Sequence, residues 1–102
     1  MQFIKTSLLV TVLLVVTASC SYAELKVVTT ISDLACIAEA VGGNDVEVSL
    51  LCPGHRDPHF LPAKPSLAHK MSKADLLCYN GLELEIGWLP LLLNKARNPR
   101  IK

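Results

Sequence analysis

The spacing of hydrophobic positions after residue 24 predicts a strand followed by an amphipathic helix. The segment "LKVVTTI" (25–31) is apolar and β-branched, which is typical of a buried strand. Ser32 is a residue type that caps helices, and Gly42 with Gly43 would end the helix that Ser32 begins. Four apolar residues between these limits recur at helical spacing and predict one buried face: Leu34, Ile37, Ala38 and Val41.

Four further elements follow in the same alternating manner. Residues 46–51 alternate between apolar and polar and predict a second strand. Ser66 is expected to cap a short helix, and "DLLCY" (75–79) predicts a short buried strand. Residues 88–97 predict a last helix, because Pro90 is tolerated in a first turn.

The order of these elements is β-α-β-loop-α-β-α, which predicts an α/β fold. Strands that alternate with helices form βαβ units, with parallel strands and right-handed crossovers. The loop "CPGHRDPHFLPAKPS" (52–66) would then leave the carboxyl end of the second strand. Ligands bind at that edge in open α/β sheets. The loop is therefore the first place to look for a functional site.

Histidines in and near this loop are the candidate ligand residues. His59 follows Asp57 and Pro58, so a stiff backbone places an imidazole beside a carboxylate. A carboxylate commonly orients a metal-ligating histidine. The alternative is an ordinary loop histidine, bonded to backbone or to water. His55 lies in flexible sequence beside a cation, and His69 is expected on the solvated face of its helix.

Cys52 adds two other possibilities to this loop. With His55 and His59 it forms a C-x2-H-x3-H pattern, which could supply three zinc ligands but has no fourth. Cys52 could also be an enzymatic nucleophile with either histidine as its base. The sequence offers no orienting third group and no recognisable oxyanion element, so we expect the protein not to be an enzyme.

The first 23 residues have the features of a secretory signal peptide. Lys5 supplies a positive charge, an apolar run follows, and small residues precede a cleavage point after Ala23. The apolar run is shorter than the ~20 residues of a membrane-spanning helix. We therefore predict residues 1–23 as signal peptide and a periplasmic chain that begins at Glu24. The alternative is a lipoprotein that is lipidated at Cys20.

Charge and cysteine content change the picture in two ways. Without Lys5, the remaining nine Lys and Arg residues balance nine Asp and Glu residues, so there is no electrostatic argument for nucleic acid. Three cysteines remain after cleavage, which is an odd number for a closed disulfide framework. Cys36 and Cys78 are expected to be small core hydrophobes.

Six stretches of the chain resemble one known family in order and spacing. They are "VVTTISDL", "VGGNDVEV", "DPH", "KPS", "KADLLCYNGLELE" and "GWLPLLL". Together they resemble the start of the metal-binding, solute-binding proteins of zinc and manganese ABC transporters, over residues 26–101. The resemblance implies two α/β lobes with a metal ion in the cleft, held by three histidines and a carboxylate or a variant of that set.

The resemblance also assigns roles to positions. His59 matches the first metal ligand of the family, whereas His55 matches no general ligand position. The other ligands would lie beyond Lys102, so residues 24–102 are expected to be a truncated amino-terminal lobe. The implied cargo is Zn²⁺ or Mn²⁺, with zinc favoured by imidazole, and the implied partner is the ABC transporter membrane permease. The alternative is an exported surface or adhesion module, or a truncated remnant without metal uptake.

The signal peptide generates a prediction about processing. The exported protein should begin at Glu24, because small residues precede that position. Mass spectrometry of the intact exported chain checks this. An amino terminus at a lipidated Cys20 would contradict cleavage after Ala23 and support a membrane-anchored protein instead.

Overall fold

The computed structural model describes residues 1–5 and 22–101. Most of the predicted signal peptide, including Cys20, lies outside the described residues. Within the described ranges, no helix is long and apolar enough to cross a membrane.

A three-stranded parallel sheet forms the centre of the fold. Its strands are β1 (Leu25–Thr29), β2 (Val46–Leu50) and β3 (Leu76–Cys78), in the spatial order β2-β1-β3. Val27 of β1 lies opposite Val48 and Leu76 of its two neighbours. The predicted α/β class with parallel βαβ units is confirmed. All three strands are shorter than predicted.

The first crossover helix, α1 (Ser32–Gly42), differs from the prediction at its start. Its N-cap residue is Ile31, and no side chain caps it, so the prediction of a Ser32 cap is wrong. The glycines end the helix as predicted. Gly43 has a φ of +52°, a left-handed conformation that glycine adopts without strain. A Cβ atom at Gly42 would collide with the side chain of Val46.

The face that α1 turns to the sheet is only partly the predicted one, because Leu34 and Ala38 are half-buried but the other two predicted residues are exposed. Ile37 and Val41 are 59% and 84% exposed, whereas Ala35 is buried. The helix packs on β1 and β2. At its end, the lack of a side chain at Gly42 allows close approach to Val46 at the start of β2. Cys36 is exposed, so its prediction as a core residue is wrong, and Cys78 is half-buried.

Two further helices cover the sheet and pack against each other. They are α2 (Pro65–Ser72) and α3 (Leu89–Ala96). The prediction that Ser66 caps α2 is wrong, because Lys64 is the N-cap and Pro65 opens the first turn. Proline is favoured there because its missing N–H has no helical partner at that position. The largest fully buried side chains are those of Trp88, Leu51, Met71, Leu92 and Val28.

A buried asparagine joins the ends of these two helices. The Asn98 side-chain amide donates to the backbone carbonyls of Met71, at 2.9 Å, and Ala74, at 2.7 Å. Its side-chain oxygen accepts a hydrogen bond from the backbone N–H of Arg100 at 3.0 Å. The Met71 carbonyl also accepts the Ala74 backbone N–H at 3.2 Å, so the buried Ala74 carbonyl is the group that depends on Asn98 for its donor.

We therefore predict that Asn98→Ala lowers the free energy of unfolding by about 1–3 kcal/mol, the cost of leaving the buried Ala74 carbonyl without a donor. Denaturant unfolding followed by circular dichroism measures the change. Asn94→Ala, at an exposed position of α3, is the matched control and should change stability by less than about 0.5 kcal/mol. Equal effects of the two substitutions would contradict this role of Asn98.

Candidate functional site

The loop of residues 51–64 begins at the carboxyl edge of the sheet, as predicted. Its first residues continue the sheet's hydrogen bonding beyond the end of β2. The Leu51 N–H donates to the Thr29 carbonyl at 2.9 Å, and the Cys52 N–H donates to the Thr30 carbonyl at 3.0 Å. The start of the loop is therefore held rigidly to the central strand, β1.

Two more contacts hold the loop further along the chain. The Leu61 side chain is buried in the hydrophobic core. The indole N–H of Trp88 donates to the Pro58 carbonyl at 2.7 Å. The Trp88 ring is itself buried, with 2% of its surface exposed. The segment between Cys52 and Leu61 is thus held at both ends and in its middle.

His59 and Asp57 form two hydrogen bonds within this segment. One oxygen of the Asp57 carboxylate, Oδ1, accepts the His59 backbone N–H at 2.9 Å and lies 2.7 Å from the ring atom Nδ1. This contact places the proton of the neutral imidazole on Nδ1, so Nε2 carries the lone pair. The two side chains are 58% and 56% exposed. His59 can therefore offer Nε2 to a metal ion from solvent.

Hydrogen bonding lowers the pKa of the Asp57 carboxyl. The backbone N–H of His59 is the largest cause, followed by the hydrogen bond from the ring and, less strongly, by the charge of the imidazole. Partial loss of hydration acts in the opposite direction and is outweighed. Both hydrogen bonds favour the charged carboxylate. Asp57 consequently remains an acceptor for the imidazole at lower pH than an ordinary aspartate would.

Cys52 is buried, whereas the two loop histidines are exposed. Its Sγ atom lies 3.8 Å from the Pro53 carbonyl oxygen and 3.7 Å from that of Arg56. Burial raises the pKa of the Cys52 thiol; the charge of Arg56 lowers it and that of Asp57 raises it. A protonated, buried thiol is a poor nucleophile and a poor metal ligand. Both roles considered for Cys52 therefore lack support.

The candidate residues do not form a complete metal site among themselves. Within residues 1–5 and 22–101, no group of three or more His, Cys, Asp or Glu side chains could hold a metal ion. The C-x2-H-x3-H pattern therefore does not converge. His55 is exposed beside Arg56 and Lys64 in a shallow pocket. His69 is exposed on α2, as predicted.

A buried carboxylate at the same edge was not predicted. Glu85 is 3% exposed, and its Oε1 accepts the Thr30 hydroxyl at 2.6 Å and the Asn80 N–H at 2.8 Å. Its Oε2 accepts the Gly81 N–H at 3.0 Å. The sequence "NGLELE" indicates a turn, but no local signal distinguishes buried Glu85 from exposed Glu83. The hydrogen bond between the Trp88 indole and the Pro58 carbonyl was also not predicted, because 30 residues separate the two partners and no local pattern links them.

The fold is that of solved metal-binding proteins. The periplasmic zinc-binding protein TroA from Treponema pallidum is similar, with a TM-score of 0.69 and 32% identity over 78% of this chain and 28% of its own. The family model "Zinc-uptake complex component A periplasmic" matches residues 27–102, and the chain belongs to this family.

Curated relatives agree with this family and are much longer than the chain. The metal ABC transporter substrate-binding lipoprotein FimA from Streptococcus parasanguinis is 41% identical over 76 residues, which are 72% of this chain and 25% of FimA. The manganese ABC transporter substrate-binding lipoprotein PsaA from Streptococcus pneumoniae is also 41% identical over 76 residues, 72% of this chain and 24% of PsaA. The chain spans about a quarter of their length, and the predicted resemblance is confirmed.

The pair of His59 and Asp57 generates a prediction about pH. The Asp57 carboxyl should titrate below the ordinary value of about 3.9, because two donors favour its charged form. Its contribution to stability is present above about pH 3.9 and is lost as the pH falls through the lower folded value. Carboxyl ¹³C NMR measures the titration.

A substitution separates the two donors. His59→Ala removes the ring donor and keeps the backbone N–H, so the pKa of Asp57 should rise part of the way toward its ordinary value. His55→Ala is the control and should leave the titration unchanged. An Asp57 that titrates at or above about pH 3.9 in the parent protein would contradict the hydrogen-bonded geometry.

Proposed function

We propose that the protein captures a divalent transition metal ion outside the cytoplasm and delivers it to the membrane permease of an ABC importer. The observation that carries this proposal is the His59 imidazole. Its Nδ1 contacts Asp57 and its Nε2 is free, at the edge of the sheet where α/β folds bind ligands. Family membership supports the same function.

We propose His59 as the first ligand of the transported ion. The remaining ligands would come from outside the described residues, because the described residues contain no other group that could complete a site. Residues 24–102 would then form part of the amino-terminal lobe of a two-lobed protein. The relatives' length, about four times that of the matched segment, supports this arrangement.

The proposed cargo is Zn²⁺ or Mn²⁺. An imidazole ligand favours zinc, whereas a site with more oxygen ligands would favour manganese. The printed names of the relatives include both metals, zinc for TroA and manganese for PsaA. We favour zinc on the chemistry of His59 alone.

We propose binding and delivery rather than catalysis. The similar proteins are named as substrate-binding components of transporters. The buried and protonated Cys52 thiol supports the same conclusion, because it removes the strongest nucleophile of the loop. The balanced charge of residues 24–102 offers no surface for nucleic acid.

Export through the signal peptide fits this role, since the ion is captured before it crosses the membrane. Two destinations remain in the proposal, a soluble periplasmic protein and a lipoprotein attached through Cys20. FimA and PsaA are named as lipoproteins, and TroA as periplasmic. The relatives therefore give weight to the lipoprotein alternative that the sequence alone placed second.

The proposal predicts the effect of removing the first ligand. In the full natural chain, His59→Ala should weaken zinc binding by about 100-fold or more, because even groups that only orient a ligand contribute about 10–100-fold. Isothermal calorimetry with a competing chelator measures the affinity. His55→Ala and His69→Ala are matched controls, since both residues are exposed histidines, and should bind like the parent. Parent-like zinc and manganese binding by His59→Ala would refute the assignment.

A further inference from the structure

Both sides of the peptide bond that precedes His59 are held by side chains. The carbonyl of this bond belongs to Pro58 and accepts the Trp88 indole N–H at 2.7 Å. Its N–H belongs to His59 and donates to Asp57 Oδ1 at 2.9 Å. The proline ring also restricts φ at residue 58. The backbone that carries the imidazole therefore has little freedom to rotate.

Trp88 can hold this peptide because its own position is restricted. Its ring lies in the hydrophobic core, and its backbone N–H donates to the Glu85 carbonyl at 3.2 Å. The next N–H, of Leu89, donates to the same carbonyl at 2.9 Å. Trp88 is thus the N-cap residue of α3, at the end of the turn that runs through residues 82–88.

Glu85 connects this turn to the sheet. Its carboxylate accepts the Thr30 hydroxyl at 2.6 Å, and Thr30 directly follows β1. The same carboxylate accepts two backbone N–H groups at the start of the turn, those of Asn80 and Gly81. A continuous series of hydrogen bonds and core contacts therefore runs from β1 through Glu85 and Trp88 to His59.

We propose that Trp88 and Glu85 are positioning residues for the metal ligand His59, an inference that rests on the proposed function. Trp88 orients the peptide before His59, and Glu85 keeps Trp88 in place. Their effect is to hold Nε2 in its binding direction before an ion arrives. Preorganised ligands bind more tightly because less ordering is left to occur on binding.

Trp88→Phe tests the first part in the full natural chain. Phenylalanine keeps most of the buried ring and removes the N–H donor, so the Pro58–His59 peptide should gain freedom. Nitrogen-15 NMR of metal-free protein, at a pH at which His59 is neutral, should show a smaller fraction of the tautomer with its proton on Nδ1. Affinity for Zn²⁺ alone should fall by about 10-fold, in the range expected for groups that orient ligands.

Asn98→Ala is the control for a general loss of stability, because Asn98 is buried but contacts the ends of α2 and α3 rather than the loop. It should lower the unfolding temperature and leave both the His59 tautomer and the zinc affinity unchanged. A parent-like His59 tautomer in Trp88→Phe overturns the positioning role. A His59 tautomer that shifts equally in Asn98→Ala also overturns it, because the effect would then be general.

Two variants test Glu85. Glu85→Gln keeps an acceptor oxygen for the turn and should retain the His59 tautomer of the parent. Glu85→Ala removes the acceptors and should shift the tautomer in the same direction as Trp88→Phe. Parent-like spectra for Glu85→Ala would refute its part in the proposal.

The two proposals can fail separately. Adding Zn²⁺ to the parent protein should shift the His59 ring resonances, and unshifted resonances would refute the proposed function. The tautomer comparison is made without metal, so it judges the positioning of His59 whatever the result of the zinc titration.

Discussion

The burial of Trp88 is the contact on which the rest of the site depends. Its ring packs among residues from the sheet and both covering helices, and its one polar atom donates to the loop. A buried indole N–H requires an acceptor, and the Pro58 carbonyl supplies one. Trp88 therefore belongs to the hydrophobic core and also fixes the position of the loop at Pro58. Stability of the fold and geometry of the site are coupled through a single side chain.

Two hydrogen bonds to Asp57 orient the His59 imidazole in the loop. The Asp57 carboxylate is held in its charged form by His59, and in return it selects the tautomer that leaves Nε2 available. Cys52, two residues after the end of β2, is buried and has a thiol pKa that burial raises. The loop thus presents one oriented imidazole rather than a cluster of potential metal ligands among the described residues. Such a surface suits the proposed site, which other segments of a two-lobed protein would complete.

The region described here resembles the solved relatives in fold while spanning less than a third of their chains. It contains the sheet, the ligand loop and the turn of Glu85, which are the parts that hold His59 in place. The exposed apolar residues Ile37 and Val41 belong to α1, the helix that packs on β1 and β2.

Sequence alone determined the order of elements, the parallel sheet, the position of the loop and the pairing of Asp57 with His59. These follow from short-range rules, namely hydrophobic period, turn residues and the stiffness of a proline between two side chains. Half of the predicted face of α1, the burial of Cys36 and the N-caps of two helices were predicted wrongly, because packing against the sheet decides which side of a helix is buried. Only the tertiary structure showed the inward turn of Cys52 and the links from Glu85 and Trp88 to the loop. Those contacts join residues up to 55 positions apart, and no local pattern encodes which distant polar group will meet a buried donor or carboxylate.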